Sequence, residues 1–372
     1  MNSNNQQRRK DMKKFIILLA LMLSSVAAMA EEKVDTVIIT LQNGTEVRYT
    51  SDQFDRVQVI YSLKYGVKVY LKNGKSKDYL ASKVVVALYQ QGSVEVANRN
   101  CNTDSRAMLL EFPHLAADQS MNKLIIKSTS DYGITFSLEW SNADKANRWT
   151  CYEMYDNNWD GDAGRNNNFY VDTEIDEEYR TIKDNYTNSG FSKGHLCPSA
   201  DRQCSEEQNK QTFYLSNIQP QWQEHNGGLW NNLEELVRGW ANNCDTLYVV
   251  KAATIRSDQI YDLRCHGKVD ANLLVPKYFY MAILSYDKST DKFKAIGLWT
   301  VHEKVSDKNK NYGDYAISID ELEERTGIDF FCNLPDDIED EVEKKCKKVK
   351  NGSKWYIEDW DITCTSGNLY EE

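Results

Sequence analysis

The sequence predicts an α+β protein: a central, antiparallel-rich sheet in the larger part of the chain, preceded by a small all-β repeat module. Three observations point there. Leu41-Gln42-Asn43-Gly44 returns thirty residues later as Leu71-Lys72-Asn73-Gly74. Downstream, residues 245–254, 273–284 and 294–301 are apolar and aromatic runs of strand length. Helix signals fall between such runs without the regular strand–helix alternation of a parallel sheet. A chain of 372 residues has room for both parts and for a large buried core. With 41% hydrophobic residues, 11% aromatics and only 5 prolines, it is not disordered, collagen-like or coiled-coil.

Residues 1–30 read as an export leader. Arg8, Arg9, Lys10, Lys13 and Lys14 precede an apolar run from Phe15 to Leu23, and Ala28-Met29-Ala30 forms an A-x-A cleavage site before Glu31-Glu32. The apolar run is too short for a permanent span, so no stable membrane insertion is expected once the leader is removed. A start at Met12 would give a tighter leader. The protein is therefore expected to be exported, either periplasmic or secreted.

The β module is expected over residues 31–92. Each Asn-Gly stands between β-rich runs: 37–41 and 47–50 around the first, 67–71 and 78–86 around the second. Asn-Gly so flanked is a strong hairpin signal. The module carries no cluster of catalytic residue types and reads as a scaffold or interaction element of unknown partner. A polar linker is expected over 93–108, and residues 109–372 form the large domain.

Nine cysteines (101, 151, 197, 204, 244, 265, 332, 346 and 364) suit disulfides in an exported protein, with an odd thiol left over. No C-x-x-C pair or closely spaced His pair marks a zinc site.

In the large domain, Ser318-Ile319-Asp320-Glu321 is a capping box that opens a helix, with Gly327 as its stop. The functional residue types concentrate between Gly190 and Ala241. Leu229, Leu233, Leu236, Val237 and Trp240 recur at helical spacing, so an amphipathic helix is expected from about Gly228. Asn226 stands just before it in a Gly-containing turn, and Glu234 and Arg238, four apart, share its other face. His195 follows a Lys-Gly step, where Gly permits an unusual turn. Taken singly these residues are ordinary: a structural histidine (His225 and His302 equally), a surface ion pair, turn asparagines. Together they supply a base active near neutral pH, an oxygen ligand for a hard cation, an acid for that cation's waters, and basic groups for phosphate.

Three ordered blocks carry a family likeness: Lys193-Gly194-His195-Leu196-x-Pro198 with Ala200-Asp201; Tyr214-Leu215-Ser216-Asn217-Ile218-x-Pro220-Gln221; and Asn226-x-Gly228-x-Trp230-x-x-Leu233-Glu234-x-x-x-Arg238. In these blocks the chain resembles the DNA/RNA non-specific endonucleases, metal-dependent nucleases with a ββα-metal (His-Me finger) site. The likeness runs over roughly residues 109–365 and leaves out the β repeat. It implies His195 as the general base, Asn226 as the one direct metal ligand, and Glu234 as a holder of metal-bound water. Asn217 would position groups in the site, Arg238 would bind or neutralise phosphate, and the family's upstream arginine falls on Arg165. Mg²⁺ is the implied cofactor, with Mn²⁺ or another divalent cation as alternatives, and DNA and/or RNA the substrate. Cleavage would leave 5′-phosphate ends. Two positions depart from the family pattern. Lys193 replaces the usual Arg, keeping charge but losing the bidentate fork for phosphate, and Ala252-Ala253 stand where the family strand often carries Gly. Two other functions fit the same residues: a phosphodiesterase acting on small nucleotides or other phosphodiesters, and a nucleic-acid-binding homologue with little turnover.

Charge argues the other way. With 45 basic and 56 acidic side chains the formal net charge is −11, which taken alone disfavours a polyanionic partner. Without residues 1–30 the balance is 40 basic against 55 acidic groups, or −15. A local cationic site from Arg165, Lys193, Arg202 and Arg238, together with a bound cation, reconciles the two. Binding is then expected to be light and to depend on the site more than on long-range steering.

Overall fold

The computed structural model describes residues 36–41, 46–50, 53–60, 66–80, 84–90, 100, 104–155, 158–304 and 311–365. The expected leader lies outside these residues, as does most of the expected linker. The chain divides into two compact units near residue 100.

In the smaller unit, strands β1 (Thr36–Leu41), β2 (Glu46–Thr50) and β6 (Val84–Gln90) form one antiparallel sheet in the order β2-β1-β6. Strands β3 (Phe54–Ile60), β4 (Gly66–Leu71) and β5 (Ser76–Leu80) form another, in the order β3-β4-β5. Both expected strand pairs are present, β1 with β2 and β4 with β5, although Asn43-Gly44 lies outside the described residues. Gly74, at φ +78°, closes the second through its N–H to Leu71, a conformation that favours Gly. The run 78–86 is two strands in different sheets, not one, and β3 carried no turn signal of its own. The repeat has a structural counterpart: Tyr49 and its equivalent Tyr79 share a hydroxyl–hydroxyl hydrogen bond, beside a core of Val37, Ile39 and Val69.

The larger unit is organised by a seven-stranded antiparallel sheet. In chain order its strands are β7 (Asn122–Thr129), β8 (Gly133–Ser141), β9 (Ala146–Tyr155), β12 (Thr246–Ala253), β15 (Tyr278–Asp287), β16 (Lys292–Val301) and β17 (Ala316–Ile317). Across the sheet they run β17-β16-β15-β12-β9-β8-β7. This is the antiparallel-rich sheet the sequence predicts. Both faces are covered, so the central strands read as continuous apolar runs rather than as alternation. On one face Leu247 and Val249 of β12, Met281 and Ile283 of β15 and Tyr152 of β9 pack under Leu233 and Val237. On the other, Trp149 meets Phe112, and Tyr280 meets Phe330, edge to face.

Between β9 and β12 the chain builds a smaller layer. Strands β10 (Ser192–His195) and β11 (Ile218–Gln221) pair as an antiparallel ribbon, with helix α1 (Glu206–Gln211) in the connection. A helical run follows directly: α2 (Gln223–His225), a π-type turn over Asn226–Trp230, and α3 (Asn231–Ala241). The helix therefore starts earlier than Gly228, and Asn226 belongs to it. Gly228, at φ −113° and ψ −108°, marks the kink.

The expected strand 273–284 breaks at Pro276, which lacks an N–H for a central ladder. Its first part, β14 (Leu273–Pro276), pairs with β13 (Ile260–Cys265), and the rest is β15. Helix α4 (Ile319–Thr326) is capped as expected, with Ser318 Oγ accepting from Glu321 N at 3.1 Å and Gly327 left-handed at φ +68°. Helix α5 (Asp336–Glu343) and an antiparallel sheet of β18 (Lys348–Asn351), β19 (Lys354–Ile357) and β20 (Ile362–Cys364) complete the unit. No disulfide joins the eight cysteines among the described residues. No described helix is long and apolar enough to cross a membrane.

Candidate active site

The β10–β11 ribbon and the helical run after it enclose a cleft of about 400 Å³, lined by Arg165, Lys193, His195, Ser199, Asn226 and Glu234 among others. Five of the seven residues singled out from the sequence therefore meet at one place. Each arrives by a different route.

His195 ends β10, paired with Ile218. Gly194 before it serves close approach, not a turn. A Cβ there would lie 2.1 Å from Gln221 Oε1 and 2.8 Å from Gln221 Cβ, across the ribbon. The imidazole packs against Phe213 and Phe169, with centroids 4.8 and 5.6 Å away. Its Nε2 is buried and has no hydrogen-bond partner among the described residues. Burial and then the Arg165 charge lower its pKa to about 3, so the ring is neutral at physiological pH and available as a base.

Arg165 lies in an irregular segment held by Ala163 N to Gln203 O at 3.0 Å and Asn166 N to Asn209 Oδ1 at 2.8 Å. Its guanidinium rests over the Phe213 ring at 5.1 Å. Lys193 sits over Phe169 at 5.2 Å and Tyr186 at 5.7 Å. Desolvation, followed by repulsion from Lys183, lowers its pKa. These are the basic groups on the cleft wall.

Asn226 reaches the cleft because it opens the π-type turn, an irregularity that recurs at functional positions in helices. Glu234, two turns on, is 9% exposed. Burial pushes its pKa up to about 7, opposed by the Lys251 ammonium.

The two remaining residues do not line the cleft. Asn217 is fully buried, and its side chain is occupied by backbone. Oδ1 accepts from Cys197 N at 2.9 Å, and Nδ2 donates to Cys197 O at 2.8 Å and Thr212 O at 2.9 Å. It thereby fixes the chain just after His195. Arg238 does not meet Glu234 on their shared helix; it donates to Asp201 Oδ1 at 2.9 Å. Arg202 is a correction to the expected cationic site. It is wholly buried, donating to Thr135 O at 2.6 Å, Asp201 O at 2.5 Å and Glu153 O at 3.0 Å, and no phosphate can reach it. His225 and His302 are structural: His225 Nδ1 contacts Gln221 Nε2 at 2.7 Å, and His302 accepts from Trp222 N at 2.7 Å.

Sequence reasoning passed over two participants. Alternation along β12 places Leu247, Val249, Lys251 and Ala253 on the face under α3. Lys251, wholly buried, has its Nζ 3.6 Å from Asp201 Oδ2 and 3.8 Å from Glu234 Oε1. Asp201 also accepts from Tyr152 OH at 2.6 Å. Burial opposes the Asp201 anion, but Lys251, Arg238 and the Tyr152 hydroxyl outweigh it and hold its pKa below the ordinary carboxylate range. A lysine in the middle of an otherwise apolar strand was the available signal.

A hard cation fits the donor set: an amide oxygen and a carboxylate two turns apart along one helical run, with space for waters. His195 lines the same cleft.

A family profile described as DNA/RNA non-specific endonuclease matches residues 118–337. A nuclease of Nostoc sp. is 29% identical over 216 residues, covering 56% of this chain and 76% of that protein. The mitochondrial nuclease EXOG of Mus musculus is 27% identical over 240 residues, 61% of this chain and 65% of its own length, so less than two thirds of the mouse protein is spanned. A solved chain from a crystal structure titled as the EndoG/EndoGI complex aligns with TM-score 0.50 and 20% identity, over 63% of this chain and 93% of that one, a likeness of fold.

Proposed function

This chain belongs to the DNA/RNA non-specific endonuclease family, and we propose that it is an exported, Mg²⁺-dependent, sugar-non-specific endonuclease that hydrolyses phosphodiester bonds of DNA and/or RNA. The observation that supports this best is the cleft itself. A neutral histidine with an unpartnered Nε2 shares it with an asparagine, a glutamate and two basic side chains.

His195 takes the proton from the attacking water, and its low pKa keeps it unprotonated when substrate arrives. Arg165 and Lys193 receive the scissile phosphate and offset charge on its oxygens. Asn226 would hold such a cation directly, and Glu234 would hold it through water. The chemistry such a cation supplies is Lewis acidity toward the phosphate and acidification of its own water. Lys251 favours the ionised form of Glu234 from below, while Arg238 and Asp201 brace that floor. Asn217 positions the segment carrying His195. The leader-like residues 1–30 support export to the periplasm or beyond.

Purified protein is expected to nick supercoiled plasmid with Mg²⁺ and to stop with a chelator. His195→Ala is expected to lose roughly 10²–10⁴-fold in rate. A His195→Ala protein that cuts as fast as the parent would overturn the assignment. Turnover confined to small phosphodiesters, with plasmid DNA and RNA untouched, would replace the nuclease reading.

A further inference from the structure

Away from the cleft, Asp320 and Glu323 lie in the first turns of α4, and Glu343 is the last residue of α5. One carboxylate oxygen from each falls within 4.8 Å of the other two. None of the three lines the cleft.

Glu343 is the telling member. It is 7% exposed, and its Oε1 has no hydrogen-bond partner among the described residues. It also stands at the C-terminal end of its helix, where backbone carbonyls already present negative potential. The lysines that follow turn elsewhere: Lys344 pairs with Asp340 at 3.5 Å and Lys345 with Glu341 at 2.7 Å. Burial, then the carboxylates of Glu323, Glu339, Asp329 and Asp320, push the Glu343 pKa up to about 10. Glu323 is pushed up to about 8, chiefly by burial and against the Phe330 N–H that it accepts at 2.7 Å. So much buried negative charge needs either protons or a cation.

The arrangement suits a cation. Asp320 is exposed, Glu323 half-buried and Glu343 buried, so the cluster opens to water on one side and closes on the other. Two oxygens bound to one Ca²⁺ at 2.3–2.6 Å are at most about 4.6–5.2 Å apart, so three that lie within 4.8 Å of one another can share one ion. Mg²⁺ typically takes only one or two carboxylates and keeps most of its waters, whereas Ca²⁺ accepts several carboxylates in irregular geometry. We propose that Asp320, Glu323 and Glu343 form a Ca²⁺ site that ties the start of α4 to the end of α5. The site is independent of the nuclease reading.

The test is thermal unfolding of the full chain carrying Asn226→Ala, which removes the ligand assigned to the cleft. After chelator treatment, CaCl₂ alone is titrated in. The midpoint is expected to rise saturably by on the order of 5 °C. Adding Asp320→Asn or Glu343→Gln is expected to abolish the rise. Glu343→Gln is also expected to unfold no earlier than its parent in chelator, because without a cation burial keeps Glu343 protonated and Gln replaces one neutral side chain with another. Should Glu343→Gln fail to fold, the exposed Asp320→Asn carries the comparison alone. Absence of any Ca²⁺-dependent rise, or a rise that persists undiminished in these variants, would overturn the proposal.

Discussion

Arg238 donates to the wholly buried carboxylate of Asp201 at 2.9 Å, although Glu234 lies one turn away on its own helix. The choice follows from burial. Asp201 has no solvent to share its charge, and Arg238 and Lys251 together replace what water would supply. Glu234 is left with Lys251 at 3.8 Å and an open side toward the cleft.

Asp201→Asn is expected to lower unfolding stability by about 3–5 kcal/mol, because it leaves Lys251 and Arg238 facing each other without an anion between them. Urea unfolding measures this. A loss under about 1 kcal/mol would mean that the two cations find other partners at little cost.

The His195 base predicts a pH effect with a definite sign. Burial and Arg165 both lower its pKa, so the acid limb of kcat/KM lies below the ordinary histidine range. Arg165→Gln removes a positive neighbour, raises the His195 pKa and moves that limb to higher pH. Relative to the parent, the variant loses more activity at pH 5 than at pH 8. A pH profile that keeps its shape while falling uniformly would assign Arg165 to phosphate binding alone.

Gly194→Ala places a methyl group where Gln221 Oε1 now stands, 2.1 Å away. The ribbon has to open or Gln221 has to leave His225, and overpacking of this kind costs about 1–3 kcal/mol. Reduced kcat with stability lost in that range is the expected result, read from kinetics and denaturant unfolding. Unchanged kcat would show that the His195 position tolerates the displacement.

Truncation has a sharp limit at Asn100. Its Nδ2 donates to Pro113 O at 3.0 Å, its Oδ1 accepts from Leu115 N at 2.9 Å, and its N–H reaches Asn333 Oδ1 at 3.2 Å. A chain starting at residue 98 is expected to keep parental nuclease activity and melting temperature. One starting at Leu109 is expected to melt several degrees lower. Loss of activity in the longer, folded form would give the β module a part in substrate binding.

What could be read from the sequence was local. The Ser318 cap, the Gly327 stop and the second Asn-Gly hairpin depend on a few consecutive residues, and the structure has them. His195, Asn226 and Glu234 were singled out through the family likeness, and the structure brings them to one cleft because the helical run follows β11 directly in the chain. Lys251 was not, because its role depends on which strand of the large sheet comes to lie under α3. Arg202 misled for the same reason: its charge suggests phosphate, and only long-range packing sends it to three backbone carbonyls. The break at Pro276 lay inside an apolar run whose periodicity masked it.

The floor of the cleft holds two carboxylates, Asp201 and Glu234, and two cations, Arg238 and Lys251, so its formal charges cancel. The floor therefore adds no net charge of its own to the cleft, and the positive side chains Arg165 and Lys193 on the wall set its local sign. A chain that is acidic as a whole thus presents a basic wall at the one place where a phosphate would enter.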